Sequence, residues 1–175
     1  MRVFLAIDIP KDIKNKIYEL QKDFKIKGIK LVEKENLHIT VKFLGEVDDN
    51  TLNKILNLNL EIPKTKIELK GLGTFPNENY IRVIWIGVYG EGLINIFKEI
   101  DNKLNTLGFE KERSYVPHLT LGRVKFIENK KLLKEKINKN KDIFIGEFET
   151  NSIKLYKSTL TPTGPIYEVI KEWKS

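Results

Sequence analysis

Hydrophobic and polar positions change their spacing repeatedly along this chain, and each change marks a new predicted element. Apolar runs and strict alternation predict strands, whereas apolar residues recurring every three to four positions predict helices. Strands are predicted at residues 2–9, 29–32, 37–45, 66–75, 80–88, 118–126, 143–159 (as one strand or two) and 164–174. Helices are predicted at residues 10–28, 48–60, 91–108 and 129–140. Strands and helices therefore follow one another along the whole chain, with no disordered linker between them.

The two halves of the chain repeat the same order of elements. The only two histidines, His38 and His118, lie 80 positions apart, and the same offset maps Thr40 onto Thr120. It also maps the pair Arg2-Val3 onto Arg82-Val83, near the start of each half. The repeat predicts one domain, residues 1–175, built from two similar lobes at about 1–75 and 80–175. A rough two-fold axis between the lobes would bring the two histidine strands together at a central cleft.

Composition narrows the class of protein. A chain of 175 residues, 41% of them apolar, is long enough to bury one sizeable core. The absence of cysteine excludes disulfides and cysteine nucleophiles and fits a cytoplasmic protein. The longest apolar run, residues 83–90, is too short to span a bilayer, and the start of the chain is typical of a strand. We therefore expect no association with a membrane.

The net charge of +7 is the second bulk property with functional meaning. A basic surface favours polyanionic partners through phosphate contacts and the release of counterions. Residues 130–141 form the most basic stretch and could face RNA, although a run of charges is more often a solvated surface. Charge alone favours the solvated alternative.

Both histidines stand two positions before a threonine on a predicted strand, so each pair shares one face of its strand. Two imidazoles in one cleft can divide proton transfer, with a neutral ring as base and a protonated ring as acid. In-line displacement at phosphorus needs that pair, and the threonine hydroxyls can donate to phosphate oxygens. One such motif alone is better explained as a half-buried strand residue; the repeated motif favours catalysis. Neither motif holds a carboxylate, which disfavours a metal site.

The residues around both histidines resemble the two-histidine (2H) phosphoesterase superfamily, and within it the RNA 2′,3′-cyclic phosphodiesterases, also called 2′-5′ RNA ligases. The resemblance covers the whole chain. The matching segments are RVFLAIDIP (2–10), LHITVKFLGEV (37–47), SYVPHLTLGRV (114–124) and LYKSTLTPTGPIYEVI (155–170). It implies an α+β fold of two pseudo-symmetric lobes, with antiparallel sheets lining a central cleft and helices packed outside.

The resemblance also implies an activity. A terminal 2′,3′-cyclic phosphate of RNA would be hydrolysed to a 2′-phosphate without metal or other cofactor, and the reverse reaction would form a 2′-5′ linkage. His118 would be the proton acceptor that activates water, and His38 the proton donor to the departing 3′ oxygen. The pseudo-symmetry leaves open which histidine has which role. The expected partners are RNA ends, such as those of tRNA halves, met by a monomer in the cytoplasm.

Two cationic residues are candidates for contacts with phosphate. Arg123 matches the arginine that lies near the phosphate in the family. Strict alternation places it on the face opposite His118, so it requires a bulge or a strand end to reach the cleft. Lys42 shares its parity with His38 and could attract the RNA backbone, but a solvated lysine is an equal alternative.

Three further residues are candidates for the substrate site. Phe4 and Tyr115 could stack on a terminal base, since aromatic side chains commonly hold single-stranded ends. Phe4 lies in an apolar strand, where a core position is the alternative, whereas Tyr115 precedes Pro117 in a predicted loop. Ser158 could line the cleft or make a hydrogen bond at a strand end.

Two other functions stay open from the sequence. One is a non-catalytic RNA-binding module on the same fold, which would bind RNA without turnover. The other is a related phosphodiesterase that acts on a small cyclic nucleotide. The intact histidines and threonines in both motifs argue against a decayed enzyme.

Overall fold

Nine strands and four α-helices make up the computed structural model, which describes residues 1–175. The strands are β1 Arg2–Asp8, β2 Ile29–Leu31, β3 His38–Glu46, β4 Thr65–Pro76, β5 Ile81–Tyr89, β6 His118–Val124, β7 Phe144–Thr150, β8 Ser152–Thr161 and β9 Gly164–Lys174. The helices are α1 Lys11–Gln21, α2 Asp49–Leu56, α3 Leu93–Asn105 and α4 Lys130–Lys139. Every predicted element is present, and residues 143–159 form two strands that are separated only by Asn151.

The strands form two sheets, ordered β3-β1-β8-β9 and β2-β6-β5-β4-β7, and all neighbours are antiparallel. The predicted α+β fold with antiparallel sheets is confirmed. The helices contribute apolar stripes to the core: α1 buries Ile13 and Ile17, and α3 buries Ile96 and Leu104. None of the helices combines the length and the apolar character that crossing a bilayer requires.

The two sheets do not follow the two halves of the chain. Strands β2 and β4 come from residues 1–75 but belong to the second sheet, whereas β8 and β9 come from the second half and complete the first sheet. This exchange covers one edge of β1 with β8 and one edge of β6 with β2, so neither strand is left with an open edge. The expected boundary near residues 75–80 therefore separates no independent lobes. A single cluster of 34 buried apolar residues joins both sheets.

A bulge follows the His-x-Thr motif at the same place in both histidine strands. In β3 the extra residue is Val41, and in β6 it is Leu121, 80 positions later. A bulge resets the alternation of side chains along its strand. Arg123 therefore points to the same side of β6 as Thr120. The alternation of the strand requires either a bulge or a strand end for Arg123 to reach the cleft, and the structure has the bulge. Lys42, by contrast, is turned away from the cleft.

The register also corrects one part of the internal repeat. The cross-strand partners of Thr40 and Thr120 are Ala6 and Trp85, which lie 79 positions apart. The opening strands are thus related by 79 positions, and the histidine strands by 80. The repeated dipeptide at Arg2-Val3 and Arg82-Val83 is out of register by one residue, so it does not mark equivalent places.

Candidate active site

Strands β3 and β6 place both histidines and both threonines in one cleft of about 560 Å³. The two strands come from different sheets and contact each other across the cleft. The other candidates among its lining residues are Arg123, Tyr115 and Lys42. The lining also includes Lys30, Asn36, Phe43, Phe75, Val116, Pro165 and Tyr167. The two-histidine arrangement expected from the repeat is therefore present as one continuous site.

Both imidazoles are held in the same way. The Nδ1 atom of His38 lies 2.6 Å from the carbonyl oxygen of Asn36, and that of His118 lies 2.7 Å from the carbonyl oxygen of Val116. A carbonyl only accepts, so Nδ1 donates its proton and Nε2 carries the free lone pair of each neutral ring. The Nε2 atom of His38 lies 2.7 Å from the hydroxyl of Thr40, whereas that of His118 has no partner within the protein. In both rings, Nε2 is thus the nitrogen that is not bound to the backbone.

The two carbonyls that orient the rings could not be found from the sequence. Asn36 is buried, and its Nδ2 donates to the carbonyl oxygen of Pro165 at 2.9 Å. This bond ties the start of β9 to the residue that holds His38. Because the orienting groups belong to the backbone, no side-chain pattern could reveal them; only their shared position, two residues before each histidine, marks them.

Aromatic rings surround each histidine. The centroid of the His38 ring lies 5.0 Å from that of Phe4 and 5.5 Å from that of Tyr167. The rings of His38 and Tyr167 meet edge to face. His118 lies 5.0 Å from Phe75 and 5.9 Å from Trp85. These contacts shield both rings from water, which disfavours their charged forms.

Burial therefore lowers the pKa of His38 and of His118, although the bonds to the backbone carbonyls raise both pKa values in part. The positive charge of Arg123 lowers both further. The carboxylate of Asp8 raises the pKa of His38 in part, and no carboxylate acts in this way on His118. The two rings are thus similar in geometry but different in their electrostatic surroundings.

Two of the substrate-site candidates lie elsewhere. Phe4 is only 2% exposed because its strand is central in the first sheet, and its ring stacks on Tyr156 at 5.4 Å. The Phe4 ring packs against His38 and is not accessible to a base. Ser158 pairs with Tyr167 across the β8–β9 hairpin and does not line the cleft.

Lys42 is not a surface lysine. Its side chain is 4% exposed, and its ammonium lies 2.5 Å from Asp101, 2.7 Å from the carbonyl oxygen of Glu110 and 3.3 Å from Glu112. The bulge at Val41 turns it into the protein. Its charge is therefore used internally and is not available to an RNA backbone.

Asp101 extends this network to Tyr115. Its second carboxylate oxygen accepts from the backbone N–H of Glu112 at 2.9 Å and from the Tyr115 hydroxyl at 2.6 Å. Burial alone would raise the pKa of Asp101, but the hydrogen bonds from Lys42 and Tyr115 lower it. The bond to Asp101 in turn raises the pKa of Tyr115 to about 12. Tyr115 is thereby fixed in the wall of the cleft.

Arg123 is exposed, lines the cleft and forms no ion pair. A free guanidinium beside two imidazoles suits an anion with several oxygens, such as phosphate. Nowhere in the chain do three His, Cys, Asp or Glu side chains converge to form a metal site.

Comparisons with known proteins agree with this geometry. The family model for LigT-like phosphoesterases matches residues 7–85 and 87–167. The RNA 2′,3′-cyclic phosphodiesterase of Methanocaldococcus jannaschii is 71% identical over 173 residues, covering 99% of this chain and 100% of its own. That of Methanothermobacter thermautotrophicus is 37% identical over 174 residues, covering 95% of each chain.

Solved structures show the same fold. A protein of Thermus thermophilus has a TM-score of 0.84 at 27% identity, covering 99% of this chain and 97% of its own. E. coli LigT, solved in complex with 3′-AMP, has a TM-score of 0.80 at 25% identity with the same coverage. The fold, the two His-x-Thr motifs and the relatives therefore all indicate the same family.

Proposed function

This chain belongs to the LigT-like phosphoesterase family of the 2H superfamily, and we propose that it hydrolyses 2′,3′-cyclic phosphodiester ends of RNA to 2′-phosphomonoesters. The observation that carries the proposal is the pair of histidines in one cleft, each with Nδ1 bound to a carbonyl. The free guanidinium of Arg123 beside them supplies the charge that a phosphate requires.

The proposed reaction uses the two rings in turn. Nε2 of His118 takes a proton from water, whose oxygen forms a bond to phosphorus. The bond between phosphorus and the 3′ oxygen breaks, and Nε2–H of a protonated His38 gives its proton to that oxygen. The product carries a 2′-phosphate and a 3′-hydroxyl, and exchange with solvent restores both rings.

The surroundings of the rings support this division of roles. The acid must hold a proton, and the carboxylate of Asp8 favours the charged form of His38. The base must be neutral, and Arg123 is the charged side chain that acts on His118 and disfavours its protonation. If an RNA 5′-hydroxyl attacked phosphorus in place of water, the same two histidines would catalyse formation of a 2′-5′ linkage.

Other cleft residues have supporting roles in the proposal. Arg123 neutralises the non-bridging phosphate oxygens, and Thr120 donates to one of them. Thr40 keeps the Nε2 atom of His38 in place through its 2.7 Å contact. The ring of Tyr115 offers a face to the terminal base. One chain supplies every one of these groups, which supports a monomer. The substrates that we propose for it are RNA ends in the cytoplasm, such as those of tRNA halves.

The test is a product analysis in the presence of a chelator. An RNA ending in 2′,3′-cyclic phosphate should be converted to the 2′-phosphate, and His38→Ala or His118→Ala should each lower kcat by about 10³-fold or more. Thr120→Ala should cost less, about 10-fold to 100-fold, because it removes one hydrogen bond to the transition state. RNA binding without turnover, a 3′-phosphate product or a need for added metal would contradict the proposal.

A further inference from the structure

The cleft opens at Arg123 onto a wider surface, of which the proposed reaction uses only Arg123. We propose that this surface, the basic strip, binds the RNA strand that precedes the cyclic phosphate. The basic strip consists of Lys25, Lys30, Arg123, Lys125 and Phe126. The inference rests on the proposed function, since it assumes that the substrate is the end of an RNA and not a mononucleotide.

The basic strip is continuous with the cleft. Lys30 and Arg123 are direct partners across β2 and β6, and both line the cleft. Beyond them, the backbone N–H groups of Lys125 and Phe126 donate to the carbonyl oxygen of Gly28 at 2.7 and 3.3 Å. Residues 28–30 and 123–126 therefore form one surface that starts at the phosphate site, and the exposed Lys25 lies three residues before Gly28.

Gly28 is required for this arrangement. Its φ is +94°, which side chains rarely allow, and a Cβ at this position would lie 2.1 Å from the carbonyl oxygen of Phe126. The close approach of the two backbones fixes Phe126 beside the lysines. A ligand would thus meet a preformed surface.

The cations of the basic strip are available to a ligand. Lys25, Arg123 and Lys125 form no ion pair, and Lys30 has only a loose contact of 3.8 Å with Glu33. Some other surface lysines are held more closely; Lys66, for example, lies 3.2 Å from Glu147. Phosphate groups are the ligands that unpaired cations in a row suit best.

The aromatic ring distinguishes a nucleic acid from other anions. Phe126 is 53% exposed among these lysines, although a ring of this size normally gains stability by burial. Single-stranded RNA offers phosphates for the cations and bases for the ring, and such stacking tolerates any base. An acidic protein surface would use the charges but would leave the ring in water.

The test compares two substrates of the whole protein. For the double variant Lys25→Gln/Lys125→Gln, kcat/KM for an RNA oligonucleotide with a 2′,3′-cyclic end should fall about fivefold to tenfold, with a weaker dependence on salt. The kcat/KM for a nucleoside 2′,3′-cyclic monophosphate should not change, because a mononucleotide in the cleft does not reach Lys25 and Lys125. Phe126→Leu keeps an apolar side chain and should also affect only the oligonucleotide.

Lys54→Gln is the matched control, since Lys54 is an exposed, unpaired lysine on α2. The proposal is overturned if the double variant behaves like this control, or if both substrates lose activity equally. A wild type that hydrolyses neither substrate would contradict the proposed function instead. Binding of a fluorescent RNA with a 2′-phosphate end would still test the basic strip. The proposal requires that the double variant bind this RNA more weakly than the Lys54→Gln control does.

Discussion

At the scale of single residues, the site depends on two rings that are similar in geometry and unlike in charge. A carbonyl orients each ring through Nδ1, so both present Nε2 to the cleft. Burial lowers both pKa values, and only His38 has a carboxylate, that of Asp8, that counteracts the shift. The free protein therefore holds both rings mainly neutral near pH 7, and the acid must gain its proton as substrate binds.

This leads to an expected pH dependence. In the free protein, a protonated ring is present mainly at pH values below the ordinary histidine pKa of 6.5. The value of kcat/KM should therefore decline as pH rises through neutrality. A bound phosphodiester is negative and raises both pKa values, so kcat should reach its maximum at a higher pH. Steady-state profiles of both constants test this, and coincident profiles would contradict it. In Arg123→Gln, which removes a charge that lowers both values, both profiles should move to higher pH.

The candidate site residues could be predicted from the sequence, whereas the groups that hold them in place could not. The two His-x-Thr motifs and Arg123 are marked by residue type and spacing. The burial of Lys42 was not predictable, because parity counting fails where a bulge inserts one residue into a strand. The same effect at Leu121 is what brings Arg123 into the cleft.

At the scale of elements, the link between β3 and the loop before β6 is a buried ion pair. Lys42 on β3 holds Asp101 on α3, and Asp101 holds Glu112 and Tyr115 in that loop. The loop continues to Val116, whose carbonyl orients the second histidine. The network therefore connects the strand that carries His38 to the loop whose carbonyl orients His118.

Removal of one partner should be costly. Asp101→Leu leaves the ammonium of Lys42 buried with less compensation, so the free energy of unfolding should fall by about 3–5 kcal/mol. The double variant Lys42→Met/Asp101→Leu should lose less than the sum of the two single variants, because it leaves no buried charge unpaired. Urea denaturation measures all three. Lys66→Met, at an exposed pair, is the control and should cost about 0–1 kcal/mol; additive losses in the buried pair would refute the coupling.

At the scale of the whole molecule, the chain cannot be divided at its apparent repeat. Strands β8 and β9 complete the sheet that β1 begins, and β2 completes the sheet of β6. The elements were predicted correctly because each has a strong local pattern. Their partners were not, because strand exchange between sheets depends on edges and core contacts that are distant in sequence. A single family model that matches residues 7–85 and 87–167 supports the proposed duplication.

A fragment of residues 1–79 should therefore not fold as an independent lobe. It would expose one edge of β1 and separate its apolar face from the buried Ile153 and Leu155 of β8. Amide hydrogen exchange should show no protected sheet in the fragment. Addition of residues 80–175 as a separate chain should restore protection if the exchange of strands is the cause; stable protection in the fragment alone would refute this view.

The contact between Trp85 and His118 has a practical consequence. Their ring centroids are 5.9 Å apart, whereas Trp173, the only other tryptophan, lies in the first sheet and donates to the carbonyl oxygen of Leu58. A charged imidazole quenches the fluorescence of a neighbouring indole more strongly than a neutral one. The emission of Trp85 should therefore follow the charge of His118, which gives the protein an intrinsic optical probe of the protonation of that ring.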